Sequence, residues 1–270
     1  MEIKVISTDV FASLQYRKTG SGPAIVLLHG FPVSSLVWSR LWDKIGEHNT
    51  VIAPDLPGSG GSAGVPNLSM ELMADAVKAI LDVEGITKVI VAGHSMGGYV
   101  AMAFADKYQE MVLGIAMVHS IASDDTEEKK ETRRKSIALI EKGGKEPFVK
   151  QMIPNLFSPK SSQLQPEWVK EQIEEGLKVP AESLAAFYNA MINRNNHTKT
   201  LSKATFPILW VAGKDDGVIP ADKVIQQSML ASVNFVKVYD DCGHMSMIEQ
   251  SARLAGDIIE FSKYCSNANA

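Results

Sequence analysis

Short apolar runs, each closed by Gly, Pro, Asp or His, recur along the 270-residue chain, and most are followed by a stretch whose apolar positions fall three and four apart. That alternation predicts βαβ units and a mainly parallel sheet, an α/β fold. Eight strands are expected, near residues 2–7, 12–17, 24–28, 50–53, 88–92, 113–118, 207–212 and 234–239. Helices are expected over 36–47, 70–84, 96–107, 221–230 and 246–264. The first two strands are joined by a short polar turn, which suits an antiparallel edge on a mixed sheet.

From His119 to about Lys203 the pattern changes. Residues 124–135 are dense in charges of both signs, and helix-like stretches follow at 136–142, 146–153, 166–177 and 181–191 with no convincing strand. Pro154, Pro159, Pro166 and Pro180 punctuate the segment, each tending to begin or end a helix. The expected organisation is a core domain of residues 1–120 and 204–270 with a helical cap at 121–203. The cap leaves the carboxyl end of a strand, the edge at which such sheets bind ligands, so it is expected to cover a site.

A hydrophobic fraction of 45% and a charged fraction of 21% fit an ordinary globular protein rather than a disordered or fibrous one. The net charge of -4, without a long basic run, predicts no nucleic-acid partner. The opening residues alternate like a strand rather than a signal peptide, and no apolar run nears the roughly 20 residues of a membrane span, so no membrane partner is expected. Cys242 and Cys265 form neither a disulfide framework nor a zinc-ligand spacing, which points to a reducing, cytoplasmic setting. Cys242, two residues before His244, reads as a small packing residue. A monomer or homodimer acting on a small molecule, with no metal or cofactor, is the expectation.

Candidate chemistry begins at Gly93-His94-Ser95-Met96-Gly97, a G-x-S-x-G motif between an apolar run and a helical pattern. A serine forced through so tight a turn needs neighbours without a Cβ, and it meets the positive end of the following helix. Ser95 is therefore the candidate nucleophile. The turn Leu28-His29-Gly30-Phe31-Pro32 also follows a strand, and the backbone N–H groups of Phe31 and Met96 are the candidate oxyanion donors. The His29 side chain reads as locally hydrogen-bonded.

A weak serine nucleophile needs a base of near-neutral pKa. Among the six histidines, His48 and His197 lie in polar runs suited to the surface, His94 adjoins the serine, and His119 leads into the insertion. His244 follows the last strand pattern and is the candidate base, predicting loss of activity on the acid side around pH 6 to 7. The third group must be a fixed carboxylate. Asp216, after the seventh strand, is the candidate, with Asp215 its local rival and Asp124 and Asp125 more distant ones. Asp240 and Asp241 read as solvated or capping residues. Met152, Phe157, Phe187 and Met191 are candidates for an apolar acyl site.

Taken together, His29 to Pro32, the segment from Asp55 to Ser62, Gly93 to Gly98, Gly213 to Pro220, and Gly243-His244 followed by Glu249 give a sequence that resembles the α/β-hydrolase superfamily, in particular its small capped esterases, lactonases and C-C hydrolases. The resemblance spans nearly the whole chain. It implies the α/β-hydrolase fold, with a mostly parallel eight-stranded sheet flanked by helices and a helical cap insertion. It also implies that the acid is the D of G-x-x-D-x-x-x-P, which is Asp216 and not Asp215. The Asp55 to Ser62 loop is implied to be structural; it lacks the lysine of a phosphate-binding loop. The implied activity is hydrolysis of a small or medium carboxylic ester or lactone. A ligand sensor with slow single-turnover hydrolysis, or a C-C hydrolase or lyase on the same groups, are the alternatives.

Overall fold

The computed structural model describes residues 1–267, so residues 268–270 of the expected core lie outside the described residues. Eight strands form one sheet: β1 (Glu2–Ile6), β2 (Leu14–Thr19), β3 (Ala24–Leu28), β4 (Thr50–Pro54), β5 (Val89–His94), β6 (Val112–Val118), β7 (Ile208–Gly213) and β8 (Asn234–Tyr239). Their spatial order is β1-β2-β4-β3-β5-β6-β7-β8, antiparallel at β1–β2 and β2–β4 and parallel from β4 to β8. Strands covered by helices on both faces must be apolar throughout, and β3, β5 and β7 are buried at every residue. β1 lies at the edge and exposes Ile3 and Val5.

The second strand runs two residues later than its apolar pattern indicates. Its register is set by partners on both sides, Leu14 against Ile6 and Thr19 against Val51.

The helices are α1 (Trp42–Gly46), α2 (Met70–Val83), α3 (Met96–Lys107), α4 (Glu127–Leu139), α5 (Lys145–Met152), α6 (Pro159–Leu164), α7 (Pro166–Lys178), α8 (Ala181–Ile192), α9 (Thr198–Ser202), α10 (Ala221–Ser228), α11 (Ser246–Glu249) and α12 (Ser251–Asn267). Two expected helices are each broken in two. The 36–47 pattern divides into a 3-10 turn, Ser35–Trp38, and α1; Trp38 and Leu41 are both fully buried, so the apolar spacing runs on across the break. The 246–264 pattern divides at Gln250, which leaves helical geometry at φ -139, ψ 44 and sends its side chain to the Asp240 carbonyl.

All structure between β6 and β7 is helical, as the sequence indicates, but the charged stretch is part of a helix rather than a prelude to one. Thr126 caps α4 by accepting the Lys129 amide, and Glu127–Lys130 and Glu131–Arg134 pair one turn apart. With few apolar residues on α4, hydrophobic periodicity is silent there. The short helices α6 and α9 were not expected.

No helix among the described residues is long and apolar enough to cross a membrane.

Candidate active site

β5 ends at His94, α3 begins at Met96, and the single residue between them carries the reversal. Ser95 sits at φ 51, ψ -113, a conformation that costs a non-glycine residue on the order of 1–3 kcal/mol. The surroundings hold it there: the Ser95 amide donates to Val118 O at 3.0 Å, and its carbonyl accepts from Gly98 N at 2.9 Å and Ser120 Oγ at 2.8 Å. A Cβ on Gly93 would lie 2.3 Å from Gly97 O, and one on Gly97 would lie 2.4 Å from Leu28 O. Strand, turn and helix therefore approach closely only because both positions are glycine.

The amide of Met96 heads the first turn of α3, where no intrahelical acceptor exists, and that of Phe31 lies in the turn after β3. Neither donates to another backbone carbonyl among the described residues. The Phe31–Pro32 peptide is cis, and the Phe31 ring stacks on Tyr188 of α8 at 4.5 Å between centroids.

Asp216 and His244 come together from the loops after β7 and β8, with His244 Nδ1 2.8 Å from Asp216 Oδ2. Oδ1 of the same carboxylate accepts the amides of Val218 at 2.8 Å and Ile219 at 2.9 Å, which fixes its plane. Asp216 is 6% exposed and His244 2%. Burial pushes the Asp216 carboxyl up, but the His244 and His119 imidazoles outweigh it and hold the acid well below the usual carboxylate range.

His119 is the feature that sequence reasoning missed. Its Nδ1 lies 3.0 Å from Asp216 Oδ2, so two imidazoles share one carboxylate oxygen. It is fully buried, adopts φ 49, and its Nε2 has no partner. The one available signal was position: it directly follows β6, whose last residue, Val118, accepts the Ser95 amide. His119, Asp216 and His244 each offer a ligand-type atom within 4.8 Å of the others, a set that a metal ion could use. Here those atoms are turned toward one another at hydrogen-bonding distances, as N–H donors to a carboxylate.

The loop bearing His244 is tied to the helical insertion. Glu249 Oε1 accepts the amides of Gly243 at 3.0 Å and Met245 at 3.2 Å, its Oε2 accepts Ser158 N at 3.0 Å, and His244 N donates to Leu156 O at 2.7 Å.

The other candidates fall as follows. Asp215, Asp240 and Asp241 are exposed, the latter two paired with Lys214 and Lys160. Asp124 is half-buried and accepts Asn196 Nδ2, and Asp125 is buried against Arg133 and Arg194, so neither approaches His244. His48 is exposed, but His197, expected at the surface, is buried: its polar neighbours mask a backbone bond from His197 N to Ala122 O that ties the end of the insertion to its start. His29 is local, with Nδ1 2.8 Å from Gly30 O and Nε2 accepting Leu56 N at 3.0 Å. Burial pushes the Cys242 thiol far up, so it is no thiolate. Asp55 binds the Ser35 amide and hydroxyl and the Gly61 amide, a loop staple.

Ser95 and His244 line one cavity of about 180 Å³, together with Phe31, Tyr99 and Val218 from the core and residues of α4, α5 and α8 from the insertion. Of the expected apolar liners, Met152 and Met191 face it; Phe157 and Phe187 do not. Phe187 instead packs edge-on against Phe31, at 6.3 Å.

Comparison with known proteins agrees with this architecture. The family described as alpha/beta hydrolase fold matches residues 23–251. Over 104 residues the chain is 39% identical to an uncharacterized protein of Mycobacterium tuberculosis; the match covers 38% of this chain and spans only 30% of that relative's length. It is 24% identical over 271 residues to a 2-hydroxy-6-oxononadienedioate/2-hydroxy-6-oxononatrienedioate hydrolase of Burkholderia vietnamiensis, covering 96% of this chain and 94% of that one. A thermophilic esterase from Thermogutta terrifontis, solved with malate bound, superposes with a TM-score of 0.92 at 29% identity, covering 98% of this chain and 99% of the esterase.

Proposed function

The chain belongs to the alpha/beta-hydrolase fold family, and on that premise we propose that it hydrolyses a small or medium carboxylic ester or lactone through an acyl group on Ser95. The observation that carries the reading is the 2.8 Å contact between Asp216 and His244, at a cavity that Ser95 enters from its strained turn. In this reading His244 takes the Ser95 proton as Oγ attacks the acyl carbon, and Asp216 holds the ring tautomer and the charge of the imidazolium. The Phe31 and Met96 amides take the oxyanion, each such donor being worth about 3 kcal/mol in the transition state. His244 then protonates the departing alcohol, and water, deprotonated in turn by His244, releases the acid and restores Ser95. Residues 121–203 act as the cap that shapes the acyl pocket. No metal or organic cofactor enters these steps, and a reducing cytoplasmic setting suits the two buried cysteines.

The test is a series of p-nitrophenyl esters of increasing acyl length, run beside Ser95→Ala. Multiple turnovers, lost in the variant, are expected, together with fluorophosphonate labelling of Ser95 in the parent. Labelling without turnover on any ester would favour the sensor. Failure to label Ser95 would overturn its assignment as nucleophile. Likeness to the Burkholderia vietnamiensis hydrolase favours C-C cleavage as a second reading, separated by release of a carboxylic acid and a ketone-bearing fragment instead of an acid and an alcohol.

A further inference from the structure

Helix α4 turns Lys129, Thr132, Arg133 and Ser136 to the cavity, positions spaced so that they share one helical face. Two of the four are cations, and no Asp or Glu side chain lines the cavity among the described residues. The carboxylate behind them is already shared: Asp125 accepts Arg133 Nε at 2.6 Å on Oδ2 and pairs with Arg194 Nη1 at 3.0 Å through Oδ1. Arg133 therefore spends its Nε on Asp125 and keeps its outer nitrogens free of acceptors among the described residues, while its guanidinium lies 5.1 Å from the centre of the Tyr188 ring. Lys129 makes no ion pair among the described residues, and its ammonium reaches only the Val218 carbonyl, at 3.4 Å.

Two cations thus stand at the wall of a cavity that also holds the serine, and the carboxylate behind them is shared with a third, Arg194. An unpaired, partly buried ammonium is costly, and a pocket that keeps one is poised for an anion brought by the ligand. Burial and the nearby Arg133 both lower the Lys129 pKa, with Asp125 opposing them. Phe31, Met152, Leu156 and Met191 provide the apolar remainder of the wall.

We infer that the substrate of this site carries an ionised carboxylate besides its scissile ester, held by Lys129 with the free nitrogens of Arg133 and joined to the acyl carbon or the alcohol by a short hydrocarbon stretch. The inference rests on the acyl-transfer reading of Ser95 and names the class of ester: half-esters of dicarboxylic acids, lactone acids, or esters of hydroxy acids.

The test compares kcat/KM for p-nitrophenyl hydrogen glutarate with that of its neutral methyl ester, and for 4-acetoxybenzoate with that of methyl 4-acetoxybenzoate. The first pair places the carboxylate on the acyl side and the second on the alcohol side. The parent is expected to prefer the anion in one pair by roughly tenfold or more, the preference falling with added salt and by a similar factor in Lys129→Met and Lys129→Gln. Two variants of different polarity, each checked for an unchanged circular dichroism spectrum, guard against misfolding. No anionic preference in either pair, or one that both variants leave intact, overturns the inference while hydrolysis stands. If no ester turns over and Ser95 resists fluorophosphonate, the hydrolytic reading fails separately. Calorimetric titration with glutarate then decides the anion site: binding weakened by Lys129→Met supports it, and no binding to the parent overturns it.

Discussion

Acidification from about pH 7.5 to 5.5 is expected to destabilise this protein through histidines it buries uncharged. His29 and His94 are 0% and 1% exposed, and neither touches a carboxylate. Burial lowers the His29 pKa, opposed by the Gly30 carbonyl and Asp55. Burial lowers the His94 pKa well below 6.5, and the neighbouring His244 and His119 rings, 4.9 Å and 6.2 Å away between centroids, lower it further against the pull of the His244 carbonyl and Asp216. A folded-state pKa below the unfolded value of about 6.5 means that the unfolded chain takes up the proton first. Their contribution is therefore fully present above about pH 6.5 and is lost as pH falls toward the folded values. Each such group costs at most about 1.4 kcal/mol per pH unit in that window, so the loss by pH 5.5 is on the order of 1–3 kcal/mol, a large part of a typical 5–15 kcal/mol. Urea unfolding followed by tryptophan fluorescence should show the midpoint falling by roughly 1 M across this range. His94→Gln keeps a donor for the His244 carbonyl and should show a shallower slope. A midpoint that stays flat to pH 5.5, or equal slopes in parent and variant, would refute the reasoning.

Two further substitutions probe the frame of the site. His119→Leu removes a hydrogen bond to an ionised carboxylate, worth about 1.5–3 kcal/mol, but also removes the buried, unpartnered Nε2, whose burial costs about 1–3 kcal/mol. The two effects nearly cancel, so the change in urea stability should stay within about 1.5 kcal/mol, and a loss above about 3 kcal/mol would show that His119 is held by more than this bond. Glu249→Ala orphans the amides of Gly243, Met245 and Ser158 together. It should lower stability by about 3 kcal/mol, or roughly 10 °C in Tm by scanning calorimetry, and reduce ester turnover because the same loop carries His244. An unchanged Tm would mean that water or the Leu156 carbonyl suffices to hold the loop.

What the sequence determined by itself is what short-range patterning can encode. The eight strands of the parallel-rich sheet are legible because burial on both faces demands unbroken apolar runs, as at Ile25 to Leu28 and Ile208 to Ala212. The turn at Ser95 is legible because its glycines are forced: a Cβ on Gly93 or Gly97 would come within 2.5 Å of neighbouring backbone. The chain order of Ser95, Asp216 and His244 could be read as three strand ends. The tertiary structure decided what depends on partners far along the chain. Asp215 and Asp216 are adjacent and chemically alike, and in the sequence resemblance alone separated them; the fold supplies the physical reason, turning Asp216 inward onto the Val218 and Ile219 amides and leaving Asp215 in solvent. His119 meets Asp216 from 97 residues away, a pairing that leaves no local trace. The run from Asp124 to Lys135 reads only as dense in charges of both signs; in the fold Arg194, from beyond α8, joins Arg133 on Asp125, and Lys129 has no counter-ion among the described residues. Apolar periodicity records which face of an element is buried, whereas charge compensation is settled only when distant segments meet, so the charge balance at the cavity was decided by the tertiary structure.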